Sequence, residues 1–149
     1  MPSLLVVDDD PNIRALFSRA LKSLGDVDVA ASGADALRML GQKRYDVVML
    51  DLHMPVVDGF FVLNTLATRP GPNTSTPVFV VSADTTERAR IDALRKKALF
   101  FLTKPVNIGM LTSLVDGALK NAQARSARPA RPGSLPDIDL SKPPGKKDP

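Results

Sequence analysis

Five polar side chains stand just after short apolar runs of this 149-residue chain: Asp8, Asp9, Asp51, Ser82 and Lys104. If the first three meet in the fold, their carboxylates repel one another by on the order of a few kcal/mol per close pair at an intermediate dielectric. Such a cluster requires a cation, and carboxylate oxygens suit a hard divalent ion such as Mg²⁺. That ion and Lys104 would balance the charge of a phosphoryl group on Asp51, while Ser82 donates a hydrogen bond to it.

Apolar runs alternate with helical patterns along most of the chain. The runs cover residues 4–7, 47–50, 78–81 and 99–102, with a weaker one at Val27 and Val29. Strands that are apolar throughout are typical of a parallel sheet covered on both faces. The pattern therefore predicts an α/β fold, a doubly wound five-stranded parallel sheet flanked by five helices. Ligands of such sheets bind beyond the carboxyl ends of the strands, where the strand order reverses.

Capping residues predict where the helices begin. Asp10 is a plausible N-cap before Pro11. The second helix is expected to start at Ser32, with Asp35 three residues on, and the third to start at about Asp58. The fourth helix is expected to begin at Asp84 or Thr85 and to continue to about Lys97. The remaining signals predict a first helix ending by Gly25, a second ending near Gly41, a third ending at Thr68 and a fifth opening at Asn107.

Composition narrows the class of protein. The chain has no cysteine, which excludes disulfides and thiolate metal sites. Its start lacks the features of a signal peptide, and no apolar run approaches the roughly 20 residues of a spanning helix. We therefore expect a soluble, cytoplasmic protein without membrane insertion.

The C-terminal segment differs from the rest of the chain. The net charge is +4, and residues 121–149 hold six basic and three acidic side chains and therefore most of this excess. Six of the thirteen prolines follow residue 128. This composition predicts one folded domain over residues 1–123 and a Pro-rich, basic, disordered tail over residues 124–149.

Four fragments together resemble the response regulator receiver family of two-component signalling, in particular its single-domain chemotaxis type. They are Val-Val-Asp-Asp ending at Asp9, Asp-Leu-His-Met-Pro-Val-Val-Asp-Gly from Asp51 to Gly59, Ser82-Ala83, and Phe-Leu-Thr-Lys-Pro ending at Pro105. Each fragment alone is a weak signal, but their order and spacing are specific. The resemblance covers about residues 3–122.

The resemblance implies a role for each matching residue. Asp51 would be the phosphoacceptor, and Mg²⁺ or Mn²⁺ would be bound by Asp9, Asp51 and the backbone carbonyl of His53, with Asp8 holding a metal water. Lys104, Ser82 and Ala83 would contact the phosphoryl group, and Ser82 and Phe101 would form the switch. Two further implications are a cis peptide bond before Pro105 and a tuning of autodephosphorylation by His53 and Asp84.

Three positions depart from the family pattern. The family usually has glycine where Lys97 stands, so the fourth helix is expected to end differently here. Polar or acidic residues are common at the positions of Leu99 and Phe100, which makes this part of the strand unusually apolar. Core packing is the simpler interpretation of Phe100, and a partner-docking surface is the alternative.

The resemblance also implies partners. A sensor histidine kinase or a histidine phosphotransfer protein would phosphorylate Asp51, and an output protein would dock on the face of the fourth helix, fifth strand and fifth helix. No direct DNA binding is expected, and the protein would be a monomer or a phosphorylation-dependent dimer. Its chemistry would be stoichiometric, limited to self-phosphorylation and autodephosphorylation, so we do not expect an enzyme.

Two other functions are compatible with an aspartate that follows a strand. A haloacid-dehalogenase-type phosphatase also uses an aspartate nucleophile after a strand, but its Asp-x-Asp pattern has His53 at the second position here. A phosphorylation-independent scaffold is the other alternative, although such members usually lose acidic residues or the lysine. All of Asp8, Asp9, Asp51 and Lys104 are present.

Overall fold

The computed structural model describes the backbone of residues 1–127 and the side chains up to residue 122. Five strands alternate with five helices. The strands are β1 (Ser3–Val7), β2 (Asp26–Ala30), β3 (Val47–Leu50), β4 (Val78–Ser82) and β5 (Ala98–Thr103). The helices are α1 (Pro11–Leu21), α2 (Gly33–Gln42), α3 (Gly59–Thr68), α4 (Glu87–Arg95) and α5 (Ile108–Ala127).

All neighbouring strands are parallel, and their order in the sheet is β2-β1-β3-β4-β5. Because successive side chains of a strand point to opposite faces, each central strand contributes to two cores. Leu5, Val7 and Leu50 pack under α2, α3 and α4, whereas Leu4, Val6 and Met49 pack under α1 and α5. The predicted doubly wound fold is confirmed.

The caps of the first three helices agree with the sequence. The carboxylates of Asp10 and Asp58 and the hydroxyl of Ser32 each accept a backbone hydrogen bond from the first turn of their helix. Helix α4 differs, because Thr86 is its N-cap. The prediction of Asp84 or Thr85 was wrong: Asp84 Oδ1 accepts from the backbone N–H of Thr86, at 2.9 Å, and so forms its own turn before the helix.

Lys97 adopts the left-handed conformation that favours glycine, with φ of 75°. Helix α4 therefore ends in the same left-handed conformation that glycine usually adopts at this position. The expectation that the helix would end differently without glycine is wrong. The β4–β5 pairing then shifts register, with Val78 opposite Ala98 and Phe79 opposite Phe100. Leu99 is the extra residue at this irregularity, and bulges of this kind protect an exposed sheet edge.

Helix α5 continues to Ala127, past the predicted domain end at residue 123. The first residues of the predicted tail are thus helical, and the remainder of the tail, residues 128–149, lies outside the described residues. Within the described part of the chain, no helix combines the length and apolar character needed to cross a membrane.

Candidate functional site

The strand order reverses between β1 and β3, and this point lies at the carboxyl edge of the sheet. Asp8 and Asp9 follow β1, and Asp51 follows β3 directly. The backbone N–H of Asp51 donates to the carbonyl of Val7 at 3.0 Å, so the pairing of the two strands continues up to the acidic residues. The fold therefore brings the three predicted carboxylates to the location where doubly wound sheets bind ligands.

Asp8, Asp9 and Asp51 form one cluster of carboxylates. One oxygen of each lies within 4.8 Å of the others. Asp8 and Asp51 are almost fully buried, with 2% and 5% of their surface exposed, whereas Asp9 is exposed. Hard oxygen ligands at this spacing, open to solvent on one side, fit a partly hydrated divalent cation.

Lys104 supplies the positive charge of the site. Its Nζ lies 2.8 Å from Asp8 Oδ2 and 3.7 Å from Asp51 Oδ1, and the peptide bond to Pro105 is cis. Burial alone would lower the pKa of Lys104, but the hydrogen bond to Asp8 and the charge of Asp51 outweigh it, so the pKa is raised. The ammonium group therefore stays charged between the two buried carboxylates.

The pKa of Asp51 is raised, first by burial and then by the negative charge of Asp8. The positive charge of Lys104 and the hydrogen bond from the backbone N–H of His53 lower the pKa of Asp51, but they do not outweigh these two effects. The ionised form of Asp51 is thus held at an electrostatic cost, which a further cation in the cluster would reduce.

Helix α3 approaches Asp51 closely at its first residue. The backbone N–H of Gly59 donates to the carbonyl of Leu52 at 2.8 Å, and a Cβ on Gly59 would collide with the carbonyl oxygen of Asp51. Only glycine fits at this position. Gly59 therefore lets the start of α3 pack directly on the backbone of Asp51 and Leu52.

Ser82 ends β4 and is fully buried. Its Oγ accepts a hydrogen bond from the backbone N–H of Asp84 at 3.1 Å, and its carbonyl accepts one from the backbone N–H of Lys104 at 2.8 Å. Ala83, the next residue, is exposed. Phe101 is half-buried and packs with the core under α2, α3 and α4, on the opposite face of β5 from Phe100.

His53 and Asp84 meet at the carboxyl edge of the sheet, between the loops that follow β3 and β4. His53 Nε2 lies 3.0 Å from Asp84 Oδ2, although the two residues belong to different loops. The His53 side chain is 58% exposed, and its ring meets Phe60 edge-on at 6.4 Å between centroids. The family resemblance predicts that both positions tune autodephosphorylation, but nothing in the sequence predicts that the two side chains are in contact.

Arg14 is a residue near the site that the sequence does not predict. Its Nη1 donates a hydrogen bond of 2.8 Å to the backbone carbonyl of Asp8, one of the three clustered acidic residues. An arginine in the first turns of a helix is an ordinary solvent-facing residue by pattern, so no sequence signal identifies this contact. The structure thus adds one basic side chain to those that the sequence predicts near the carboxylates.

Comparisons with known proteins agree with this architecture. The response regulator receiver domain family matches residues 4–116. The transcriptional regulatory protein PrrA of Mycobacterium tuberculosis is 36% identical over 120 residues, which cover 80% of this chain and 50% of PrrA. GlrR of Escherichia coli is 35% identical over 121 residues, covering 80% of this chain and 26% of GlrR. The chain thus spans about half the length of PrrA and about a quarter of GlrR.

Solved structures give the same result. The receiver domain of the Francisella response regulator 1452 superposes with a TM-score of 0.75 at 32% identity, covering 82% of this chain and 99% of that domain. The chemotaxis protein CheY4 of Vibrio cholerae superposes with a TM-score of 0.73 at 29% identity, covering 80% of this chain and 99% of CheY4.

Proposed function

This chain belongs to the response regulator receiver domain family, and from that membership we propose that it is a phosphorylation switch in which Asp51 accepts a phosphoryl group. One observation carries the proposal: the buried Asp51 carboxylate shares a cluster with Asp8 and Asp9 and lies 3.7 Å from the Lys104 ammonium. A nucleophilic carboxylate beside a cation-binding cluster and a fixed positive charge is suited to receive a phosphoryl group.

The donor is a histidine kinase or a histidine phosphotransfer protein. A carboxylate oxygen of Asp51 attacks the phosphorus of the donor's phosphohistidine, and the phosphorus–nitrogen bond breaks. Its electron pair stays on the imidazole, which takes up a proton from solvent. Lys104 offsets the negative charge that moves onto the site, because its ammonium group already lies between Asp8 and Asp51.

Mg²⁺ or Mn²⁺ is the proposed cofactor, and the acidic cluster fits it. Asp9, Asp51 and the backbone carbonyl of His53 would bind the ion, and Asp8 would act through a metal-bound water. When bound, the ion supplies charge neutralisation for the phosphoryl oxygens. Asp8 already accepts hydrogen bonds from Asp10 and Lys104, which supports its indirect role.

Ser82 and Phe101 would transmit the phosphorylation of Asp51 to the surface of the protein. In the proposed switch, the hydroxyl of Ser82 moves toward the phosphoryl group, and the half-buried ring of Phe101 turns inward. Ser82 is tied to the backbone of Asp84, so such a movement would carry the loop before α4 with it. The surface of α4, β5 and α5 is thereby altered.

An output protein is proposed to dock on this surface. Its exposed apolar side chains support the proposal: Ile91, Leu94, Leu99 and Phe100 are each between 36% and 48% exposed. The ring of Phe100 packs on Phe79 at 5.1 Å between centroids, as core packing predicts, and its remaining exposed surface would be available to a partner. We propose a stoichiometric signalling protein and not an enzyme that turns over substrates.

The proposal is tested by intact mass spectrometry. The protein is incubated with Mg²⁺ and acetyl phosphate or phosphoramidate, and the wild type is compared with Asp51→Asn. We expect one added phosphoryl mass on the wild type only, and none after EDTA. A folded wild type that stays unmodified would favour the phosphorylation-independent scaffold, and sustained release of phosphate from small phosphoesters would favour a phosphatase.

A further inference from the structure

Arg14 contacts the loop that carries the acidic residues, and neither the sequence nor the proposed function gives it a role. It lies in the first turns of α1, where its backbone N–H donates to the carbonyl of Asp10. Its side chain reaches back six residues to the carbonyl of Asp8, at 2.8 Å. The guanidinium group therefore joins α1 to the β1–α1 loop.

Every polar group of Asp8 has a partner. Its N–H donates to Ala30, its carbonyl accepts from Arg14, Oδ1 accepts from the N–H of Asp10, and Oδ2 accepts from Lys104. Asp9 differs, because its carboxylate makes no hydrogen bond to any residue that the structure describes. Within the described residues, the protein can therefore direct the Asp9 carboxylate only through the backbone of Asp9.

The carbonyl that Arg14 holds belongs to the peptide bond between Asp8 and Asp9. A peptide unit is planar and includes the Cα of the following residue, so holding its oxygen holds the position of the Asp9 Cα. We propose that Arg14 is a positioning residue for the divalent-cation site, since it keeps the Asp9 carboxylate directed at the oxygens of Asp8 and Asp51. This inference rests on the proposed function, which requires a cation there.

A purely electrostatic role of Arg14 would have the opposite effect. Within residues 1–122, its guanidinium group forms no salt bridge, so its charge is not cancelled by a carboxylate partner. A free positive charge near the cluster repels a cation, and its removal should tighten metal binding. Removal of a positioning contact should weaken metal binding, because hydrogen bonds behind metal ligands orient them. The sign of the change separates the two roles.

The test measures Mn²⁺ affinity from the electron paramagnetic resonance signal of the free ion, without phosphorylation. Arg14→Met removes the donor and the charge and keeps the length of the stem. Arg19→Met is the matched control, since Arg19 is exposed in the last turn of the same helix. We expect Arg14→Met to weaken Mn²⁺ binding about tenfold while the melting temperature of the metal-free protein falls by only a few degrees. Arg19→Met should bind Mn²⁺ as the wild type does.

Arg14→Lys keeps the charge but replaces the planar fork with a single ammonium, and we expect binding between those of the wild type and Arg14→Met. Unchanged or tighter binding by Arg14→Met would overturn the inference. If Arg14→Met does not fold, Arg14→Lys decides: weaker binding supports the inference, and wild-type binding overturns it. A wild type that binds no Mn²⁺ would instead overturn the proposed cofactor, and this inference with it.

Discussion

His53 Nε2 lies 3.0 Å from Asp84 Oδ2, which joins the loop after β3, two residues past Asp51, to the loop after β4. Asp84 is itself held by the backbone N–H of Thr86 and donates its own N–H to Ser82. The contact therefore connects the rim of the site to the residue proposed to respond to phosphorylation.

We predict that this contact slows the loss of the phosphoryl group, because it narrows the access of water to Asp51. His53→Ala and Asp84→Ala should each shorten the lifetime of the phosphorylated protein severalfold. The double variant should decay no faster than the single ones, because all three lose the same contact. The decay is followed by intact mass after removal of the small phosphodonor.

Thr85→Ala is the control for this prediction, since Thr85 is an exposed neighbour in the same loop. Wild-type lifetimes in both single variants would contradict the prediction. Effects that add fully in the double variant would show that the two side chains act separately.

A second prediction concerns the charge of Asp51. Its pKa is raised in the folded protein, so folding favours the protonated carboxyl. This contribution to stability is complete below the unfolded pKa of about 4 and is lost as the pH rises through the folded pKa. In metal-free buffer at pH 7, Asp51→Asn should therefore melt a few degrees above the wild type, and the difference should shrink toward pH 4.

Thermal unfolding followed by circular dichroism measures this difference. Asp116→Asn is the control, because Asp116 is a surface residue of α5 that pairs with Lys120, and little change is expected. Equal melting temperatures of the wild type and Asp51→Asn at pH 7 would show that the buried carboxylate carries no electrostatic cost.

Val56 gives a third prediction. It has φ of 69° and is fully exposed, so a β-branched side chain occupies a left-handed conformation without any burial to compensate. Val56→Asn should stabilise the protein by roughly 1 kcal/mol, since asparagine tolerates this conformation. Urea unfolding measures the change. Val29→Asn, at an exposed position of β2, should instead destabilise the protein.

The sheet and most helix starts could be predicted from the sequence because their signals are local. The apolar runs of β3 and β4 are buried at every residue, and Asp10 and Ser32 cap the helices that they precede. The start of α4 was misplaced because Asp84 satisfies the N–H of Thr86, a competing local hydrogen bond that a capping pattern does not distinguish.

The three residues of the acidic cluster could also be predicted, because the carboxyl ends of neighbouring parallel strands meet at one edge of the sheet. The side-chain contacts around the cluster could not be predicted from the sequence. Arg14 reaches Asp8 through a backbone carbonyl, and His53 meets Asp84 across 31 positions of the chain. Lys97 and Val56 take positive φ values without being glycine, because the surrounding chain imposes the turn. Each of these features depends on tertiary geometry.

A fourth prediction tests a partly buried polar contact away from the site. The pKa of Asp28 is lowered, first by the hydrogen bond from the Tyr45 hydroxyl at 2.8 Å. A lowered pKa adds stability above the unfolded pKa of about 4, and this stability is lost as the pH falls through the folded pKa. Tyr45→Phe should therefore cost roughly 1 kcal/mol at pH 7 and less at pH 3.

Urea unfolding at the two pH values measures this effect. Lys43→Met removes the other partner of Asp28, an ion pair at 3.1 Å that is about half exposed, and should cost less. A loss in Tyr45→Phe that is the same at pH 3 and pH 7 would show that the hydroxyl acts without the charge of Asp28.

We assign Asp51 as the phosphoacceptor, and borohydride reduction of the phosphorylated protein checks this assignment. Reduction converts an aspartyl phosphate to homoserine, which tandem mass spectrometry locates in the peptide sequence. We predict homoserine at position 51 alone, and only when Mg²⁺ or Mn²⁺ was present during phosphorylation. Homoserine at Asp8, Asp9 or Asp58 with an unchanged Asp51, or no homoserine in a folded protein treated with phosphodonor and Mg²⁺, would contradict the claim.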